Sequence, residues 1–522
     1  MGRFLVVVII LVAIALLGYK YLLQGGDEPP AQKPAAAPEG AAPATDGKVE
    51  AGGAATAQQA AAMDAESSAA NAAPAATVET DLAPAAAEAD IAAGSNDVSG
   101  EELGAAMAEE TIDIMDPSLT AGIAGEGPLT LEQIEAWLAD EKNHVVLKPE
   151  LPLGLRAGQD AIQGLDKNPL TRAKIELGRQ LYFDQRLSSD VSVSCATCHD
   201  PDMGFASHDR FGIGVRKQAG ARNSPTAYNR ILSGPQFWDG RAESLEEQAK
   251  GPIANPIEMS NTHEACVATL KKVPGYVLQF DRIFEDGLTI DNAARAIASF
   301  ERVLVTGPAP WDLAKELADF EETWAADIED LEALKQDDEE LYNEYMALKK
   351  AAEQKPISES ARRGGELFFS DRSGCTACHV GANFSDELYH NLGVGMAADK
   401  PDLGRFLVTN VEKDRGAYKT PTVRNISQTA PYMHDGSQQT LEEVVEWYAK
   451  GGHPNPWLDE KIKKLELSDQ DKKDLVAFMA EGLLGDLPAV ERTRLPADPV
   501  AAAENAEENA EAEAEEASAA AN

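Results

Sequence analysis

The sequence predicts a mainly α-helical fold of two tandem domains, set between a disordered N-terminal tether and an acidic C-terminal tail. Three observations carry that expectation. The pentapeptide Cys-x-x-Cys-His occurs twice, at Cys195-Ala196-Thr197-Cys198-His199 and at Cys375-Thr376-Ala377-Cys378-His379. Apolar residues recur at helical spacing behind Ser or Thr caps, and strand-like alternation is scarce. Both ends of the chain are low-complexity, and the formal net charge is −42 at pH 7, which argues against nucleic acid as a partner.

The repeated pentapeptide is the attachment pattern of covalent haem c. Two thiols one helical turn apart meet the two vinyl groups of one porphyrin, and the adjacent imidazole reaches the iron. The cofactor-binding residues are therefore Cys195, Cys198 and His199 for one haem c, and Cys375, Cys378 and His379 for a second. A single zinc site made of both cysteine pairs is the competing reading, but it leaves the histidine after each pair unexplained. The two domains are thus expected to be cytochrome c-like, and Cys266 is left over.

Taken in chain order, residues 1–24 form an N-terminal membrane anchor or signal segment. Phe4 to Leu17 is continuously apolar behind Arg3, and no small-residue cleavage site follows closely. An uncleaved anchor with the chain facing the periplasm is the favoured reading. Residues 25–125 are rich in Ala, Pro, Asp and Glu and read as a disordered tether. The first haem domain spans 126–309, with helices expected over Leu129–Leu138, Leu170–Gly178 and Ile290–Val305. Residues 310–353 form an acidic inserted helical pair, and 354–490 form the second haem domain. In that domain, helices are expected over Ser358–Phe369, Leu441–Ala449 and Ser468–Leu483. Residues 491–522 are the disordered acidic tail.

Between and after the haem motifs lie further distinctive stretches: Ala221-Arg222-Asn223-Ser224-Pro225-Thr226, Pro235-Gln236-Phe237-Trp238-Asp239-Gly240-Arg241-Ala242, Gln248 through Met259, and Thr429-Ala430-Pro431-Tyr432-Met433-His434-Asp435-Gly436-Ser437. In order and spacing they resemble the bacterial dihaem cytochrome c peroxidase and MauG family, over about Leu170 to Leu484 apart from the acidic insertion. The resemblance implies that the haem on Cys195 and Cys198 is peroxidatic. It further implies Glu258 as the catalytic glutamate, Gln248 as its companion and Trp238 as the tryptophan between the haems. One Ca²⁺ is implied too, held through Asn223, Thr429 and Pro431, the last two by backbone carbonyls. Elementary chemistry agrees: peroxide cleavage needs an open iron face and a group that moves a proton between the two oxygens. A neutral amide such as Gln248 orients peroxide without competing for that proton.

Two departures from the family pattern matter. Typical peroxidases of the family block the resting iron with a histidine two residues after an Ile-Gly. Here Ile213-Gly214 is followed by Val215, which cannot ligate iron; His208, nearby, reads as a surface residue. At the second haem, the position matching the usual methionine ligand is Tyr448, as in MauG-like members, with Met433 and His453 as competitors. Tyrosinate stabilises ferric iron relative to methionine.

The leading expectation is a dihaem c-type peroxidase that reduces hydrogen peroxide to water with electrons from a small cytochrome c or cupredoxin. The rival within the family oxidises Trp or Tyr of a partner protein. The rival of another class is a dihaem electron carrier, for which a Gln248/Glu258 pair has no use. The oligomeric state is left open, a homodimer among the options.

Overall fold

In the computed structural model, residues 109–498 are described. The N-terminal segment read as an anchor, most of the tether and the end of the acidic tail lie outside the described residues. Among the described residues, no helix is long and apolar enough to cross a membrane.

The elements run β1 (Glu109–Asp113), α1 (Leu131–Ala139), β2 (Val146–Glu150), α2 (Arg172–Phe183), α3 (Cys195–Cys198), α4 (Leu245–Ala254), α5 (His263–Leu270), α6 (Pro274–Ile283) and α7 (Ile290–Arg302). They continue with α8 (Pro310–Thr323), α9 (Leu331–Asp337), α10 (Glu339–Gln354), α11 (Glu359–Phe368), β3 (Tyr389–His390), α12 (Phe406–Thr409), β4 (Tyr418–Lys419), α13 (Leu441–Ala449) and α14 (Asp469–Ala477). The expected mainly helical class is what the described residues adopt. Ser or Thr side chains cap the N-termini of α1, α2, α4, α5, α7, α11, α13 and α14, each accepting from the backbone N–H three residues on. These are the caps that mark helix starts in the sequence.

Each haem motif follows a helix that crosses a later one at a glycine. A Cβ on Gly178 in α2 would lie 1.9 Å from the Ala296 carbonyl of α7, and one on Gly364 in α11 would lie 1.8 Å from the Asp474 carbonyl of α14. Only glycine permits backbones that close. A separate turn also occurs twice, at Phe237 and Met433, both in the left-handed region at φ 67° and 71°, each followed by a Trp or His, then Asp and Gly. The described residues therefore contain this helix crossing and this turn twice each. The buried apolar residues follow it: the larger cluster includes Leu177, Leu181, Val215, Ile297 and Phe300, and a second includes Leu367, Phe368, Val445 and Phe478.

Three expectations are corrected. Residues 109–125, expected to be disordered, are part of the fold: β1 pairs in parallel with β2 from Glu109↔Val146 to Asp113↔Glu150, and Ile112, Ile114, Leu119 and Ile123 are buried. Residues 491–498, expected to be disordered tail, are part of the fold. Leu129 and the 495–497 segment exchange backbone hydrogen bonds of 2.8 and 3.0 Å, and the Arg179 guanidinium, fully buried, donates to the carbonyls of Glu491 and Arg494 at 2.8 and 2.9 Å. The acidic insertion is three helices, α8 to α10, rather than a pair. Its first helix is tied inward: Asp312 pairs with buried Arg424 at 2.8 Å, and Trp311 stacks on Phe369 at 5.5 Å.

Candidate functional site

The first motif forms the short helix α3, with the Cys195 and Cys198 sulfurs in protein surroundings and no disulfide. Nδ1 of His199 lies 3.2 Å from the Phe205 carbonyl, and Nδ1 of His379 lies 2.9 Å from the Phe384 carbonyl. A carbonyl only accepts, so Nδ1 carries the proton in both rings and Nε2 keeps its lone pair. Burial holds both imidazoles below their ordinary pKa, in the neutral form a metal ligand needs. Four thiols in two pairs, each with a neutral, oriented imidazole, fit two haem c groups.

The loop from Gly212 to Val215 spans the space beside the first motif. A Cβ on Gly212 would lie 3.2 Å from Cys198 Sγ, and one on Gly214 would lie 2.0 Å from the Ile257 carbonyl and 2.4 Å from that of Glu258. The Val215 N–H donates to the Glu258 carbonyl at 2.8 Å, and the Val215 side chain is fully buried. Glu258 is held by a turn that folds back over the end of α4: Glu258 N–H donates to Asn255 at 3.1 Å and Met259 N–H to Pro252 at 3.2 Å. Burial, then the neighbouring Glu258 charge, pushes the Cys198 thiol up to about 11. The carboxylate thus stands in the electrostatic reach of the first motif, and Val215, the residue after Ile213-Gly214, is aliphatic, with its backbone N–H bonded to the Glu258 carbonyl. Gln248 lies half-buried on α4. His208, 57% exposed, bonds to Asp200 at 3.0 Å, as a surface histidine does.

Trp238 contacts segments far apart in the chain. Its Nε1–H donates to the Asn223 carbonyl at 2.8 Å, and the Asn223 N–H donates to the His434 carbonyl at 2.8 Å. The Trp238 ring stands edge-on to the His434 ring, centroids 6.5 Å apart, and His434 stacks on Tyr418 at 3.5 Å. Burial lowers the His434 pKa to about 4, so that ring is neutral at pH 7. Arg222 clamps this region, donating to Asp239 at 2.7 Å and to both oxygens of Asp402 at 2.7 and 2.9 Å. Against the cost of burial, Arg222 holds the Asp402 pKa down to about 2. Sequence reasoning assigned no role to Arg222, Asp402 or Tyr418; Arg222 stands in a quoted stretch, but nothing local marks its distant partner. The calcium candidates occupy the same junction. Buried Asn223 donates through its backbone N–H to the carbonyl of His434, three residues after Pro431, and Gly204 packs on Thr429, where a Cβ would lie 2.9 Å from Thr429 Cγ2.

In the second half, Tyr448 lies on α13, and its side chain packs on the same apolar cluster as Cys375 and Met433. Burial first, then the thiols of Cys378 and Cys375, raise the phenol pKa above its ordinary value. That coupling places Tyr448 beside the second motif. His453 instead has its backbone against Gly393, where a Cβ would lie 2.3 Å from the His453 carbonyl. A group the sequence did not reveal stands at the same motif: His390 is clamped by Asp386 at 2.9 Å and Asp459 at 2.6 Å, and Cys378, Asp386 and His390 offer donors within 4.8 Å of one another. Cys378 is a haem attachment residue, so this cluster belongs to that site.

Several known proteins are similar to this chain. A family model described as di-haem cytochrome c peroxidase matches residues 172–318. The methylamine utilization protein MauG of Methylorubrum extorquens is 35% identical over 331 residues, covering 63% of this chain and 83% of the relative. The cytochrome c551 peroxidase of Nitrosomonas europaea is 35% identical over 347 residues, covering 66% of this chain and 90% of the relative. The crystal structure of a MauG-like protein associated with microbial copper homeostasis superposes with a TM-score of 0.52 at 25% identity, covering 65% of this chain and 96% of that one.

Proposed function

Because this chain belongs to the di-haem cytochrome c peroxidase family, we propose that it carries two haem c groups and reduces hydrogen peroxide to water with electrons from a small soluble redox protein. It is an oxidoreductase with peroxide as acceptor. Cys195, Cys198 and His199 hold one haem, and Cys375, Cys378 and His379 the other. Bound haem supplies the iron at which the O–O bond is broken and the redox range for electron delivery. The repeated glycine crossings and the two apolar clusters support reading the chain as tandem haem domains.

The chain's own residues account for the rest. Glu258 takes a proton from one peroxide oxygen and returns it to the other, so that water leaves. Gln248 orients peroxide through a neutral amide. Val215 puts no imidazole over the first site, and its bond to the Glu258 backbone keeps that face fixed. Trp238 lies between the halves as the electron path, its N–H on a neutral carbonyl and its surroundings tied by Arg222. Asn223, Thr429 and Pro431, all oxygen donors, suit Ca²⁺; the buried Gln428 Oε1, which has no hydrogen-bond partner, adds oxygen character beside Thr429. Export of the chain, with its N-terminal segment as an inner-membrane tether, follows from haem c assembly outside the cytoplasm.

The observation that carries this reading is the 2.8 Å bond from Val215 N–H to the Glu258 carbonyl, which sets a non-ligating side chain and a proton-moving carboxylate on the same loop pair. The protein as isolated, with both haems ferric, is expected to show one high-spin and one low-spin haem and to bind cyanide without prior reduction. Two low-spin haems inert to cyanide until reduced would overturn it. Tyr448 favours a second reading, in which the oxidising equivalents act on a Trp or Tyr of a partner protein as the MauG resemblance implies. An electron carrier alone would leave Glu258 and Gln248 without a task.

A further inference from the structure

Behind the first motif lies a carboxylic acid that peroxide cleavage does not use. Glu301, at the end of α7, is only 7% exposed, and its Oε2 is buried with no hydrogen-bond partner. The neighbouring Arg302 does not supply one, because it is engaged by Glu246 at 2.6 Å. Arg230, half-buried, donates instead to the neutral Gln236 side chain at 2.9 Å. The charged groups facing Glu301 are therefore Arg230, Arg302 and Glu246, with Cys195 and Tyr182 as titratable neighbours.

We propose that Glu301 takes up a proton when the haem site on Cys195 and Cys198 gains an electron, and releases it when that electron is passed on. The balance is simple: one electron enters the site, and one proton from solvent binds the Glu301 carboxylate, so no net charge is added to a buried region. The assignment rests on the haem attachment proposed above. Three observations support it. Glu301 follows Phe300, whose ring packs on Tyr182 with centroids 5.1 Å apart, and the Tyr182 hydroxyl donates to the His199 carbonyl at 3.4 Å, which sets the acid beside the first motif, where its charge, next after burial, raises the Cys195 thiol's pKa. Burial pushes its own pKa up to about 7, against the pull of Arg230 and Arg302, so both protonation states are accessible near neutrality. An unpaired buried oxygen also costs more as a carboxylate than as a neutral acid. Coupling of this kind is reciprocal: if an added electron raises the acid's pKa, a bound proton eases the electron's arrival.

The test is a spectroscopic redox titration of the holoprotein at a series of pH values across neutrality, with each haem followed separately. In the wild type, the midpoint potential of the first haem is expected to fall as pH rises through the Glu301 range, while that of the second stays nearly level. Glu301→Gln should flatten the first dependence with both haems still bound, as counted by pyridine haemochrome; Glu301→Asp should keep it with a displaced midpoint. A wild-type potential that does not change with pH overturns the inference. So does a slope unchanged in Glu301→Gln, which would assign the proton to another group, a haem propionate included. A slope lost instead in Lys419→Met also overturns it, since Lys419, lowered by burial to about 8, titrates in the same range. A wild-type protein without two haems would instead sink the attachment reading, and the haem count separates the two failures.

Discussion

Replacing Glu258 with Gln is expected to slow peroxide cleavage by roughly 10²–10⁴-fold, the usual contribution of a positioned proton-transfer group. The substitution keeps the shape of the side chain and removes only its ability to carry the proton. The backbone bonds that hold the turn, from Glu258 to Asn255 and from Val215 to Glu258, involve no side-chain atom of residue 258 and should survive. Both haems should therefore be retained, and cyanide should still bind the first. Stopped-flow mixing of the ferric protein with peroxide reads the rate directly. A variant that reacts at the wild-type rate would show that another group moves the proton.

Tyr448→Met is expected to change the character of the second haem rather than the chemistry of the first. Burial keeps the Tyr448 phenol protonated in the protein's own field. A bound ferric centre would add the positive charge that reverses this preference, as bound cations do for their ligands. Phenolate ligation would then lower the potential, and a thioether in its place would raise it. The variant should display the weak near-infrared sulfur-to-iron band of a methionine-ligated ferric haem, accept electrons more readily from a small cytochrome, and retain peroxide cleavage at the His199 haem. Any oxidised state shared by both haems should be impaired. If Tyr448→Phe leaves the second haem's spectrum as in the wild type, Tyr448 is not a ligand, and Met433 or His453 takes its place.

What could be read in advance was whatever a local pattern records. The pentapeptides declare their own chemistry, and the helix at Leu441–Ala449 was bounded to the residue, because Thr440 caps a clean apolar stripe. β1 was missed for the opposite reason. Its five residues are short and mostly polar, and their partner strand lies far along the chain, at Val146–Glu150. The strap of residues 491–498 was read as tail, since what orders it is distant: the Arg179 guanidinium and the backbone of Leu129. Glu301 and Asp402 are single acidic residues in ordinary surroundings, and only the fold reveals that one has a buried oxygen without a hydrogen-bond partner and the other is gripped by Arg222. Val215 and Tyr448 were legible only as departures from a family pattern, but both fall beside the expected motifs.

The central claim is that the first site turns over peroxide as it stands, at the expense of a soluble electron donor. The most direct test adds stoichiometric hydrogen peroxide to the purified ferric protein in the presence of a reduced small cytochrome c or cupredoxin, without prior reduction of the enzyme. The account predicts prompt reaction, with two donor molecules oxidised for each peroxide consumed and the enzyme returned to its resting spectrum. An enzyme that stays inert until reduced, or that holds a long-lived oxidised state which the donor does not discharge and only a specific protein quenches, would contradict it.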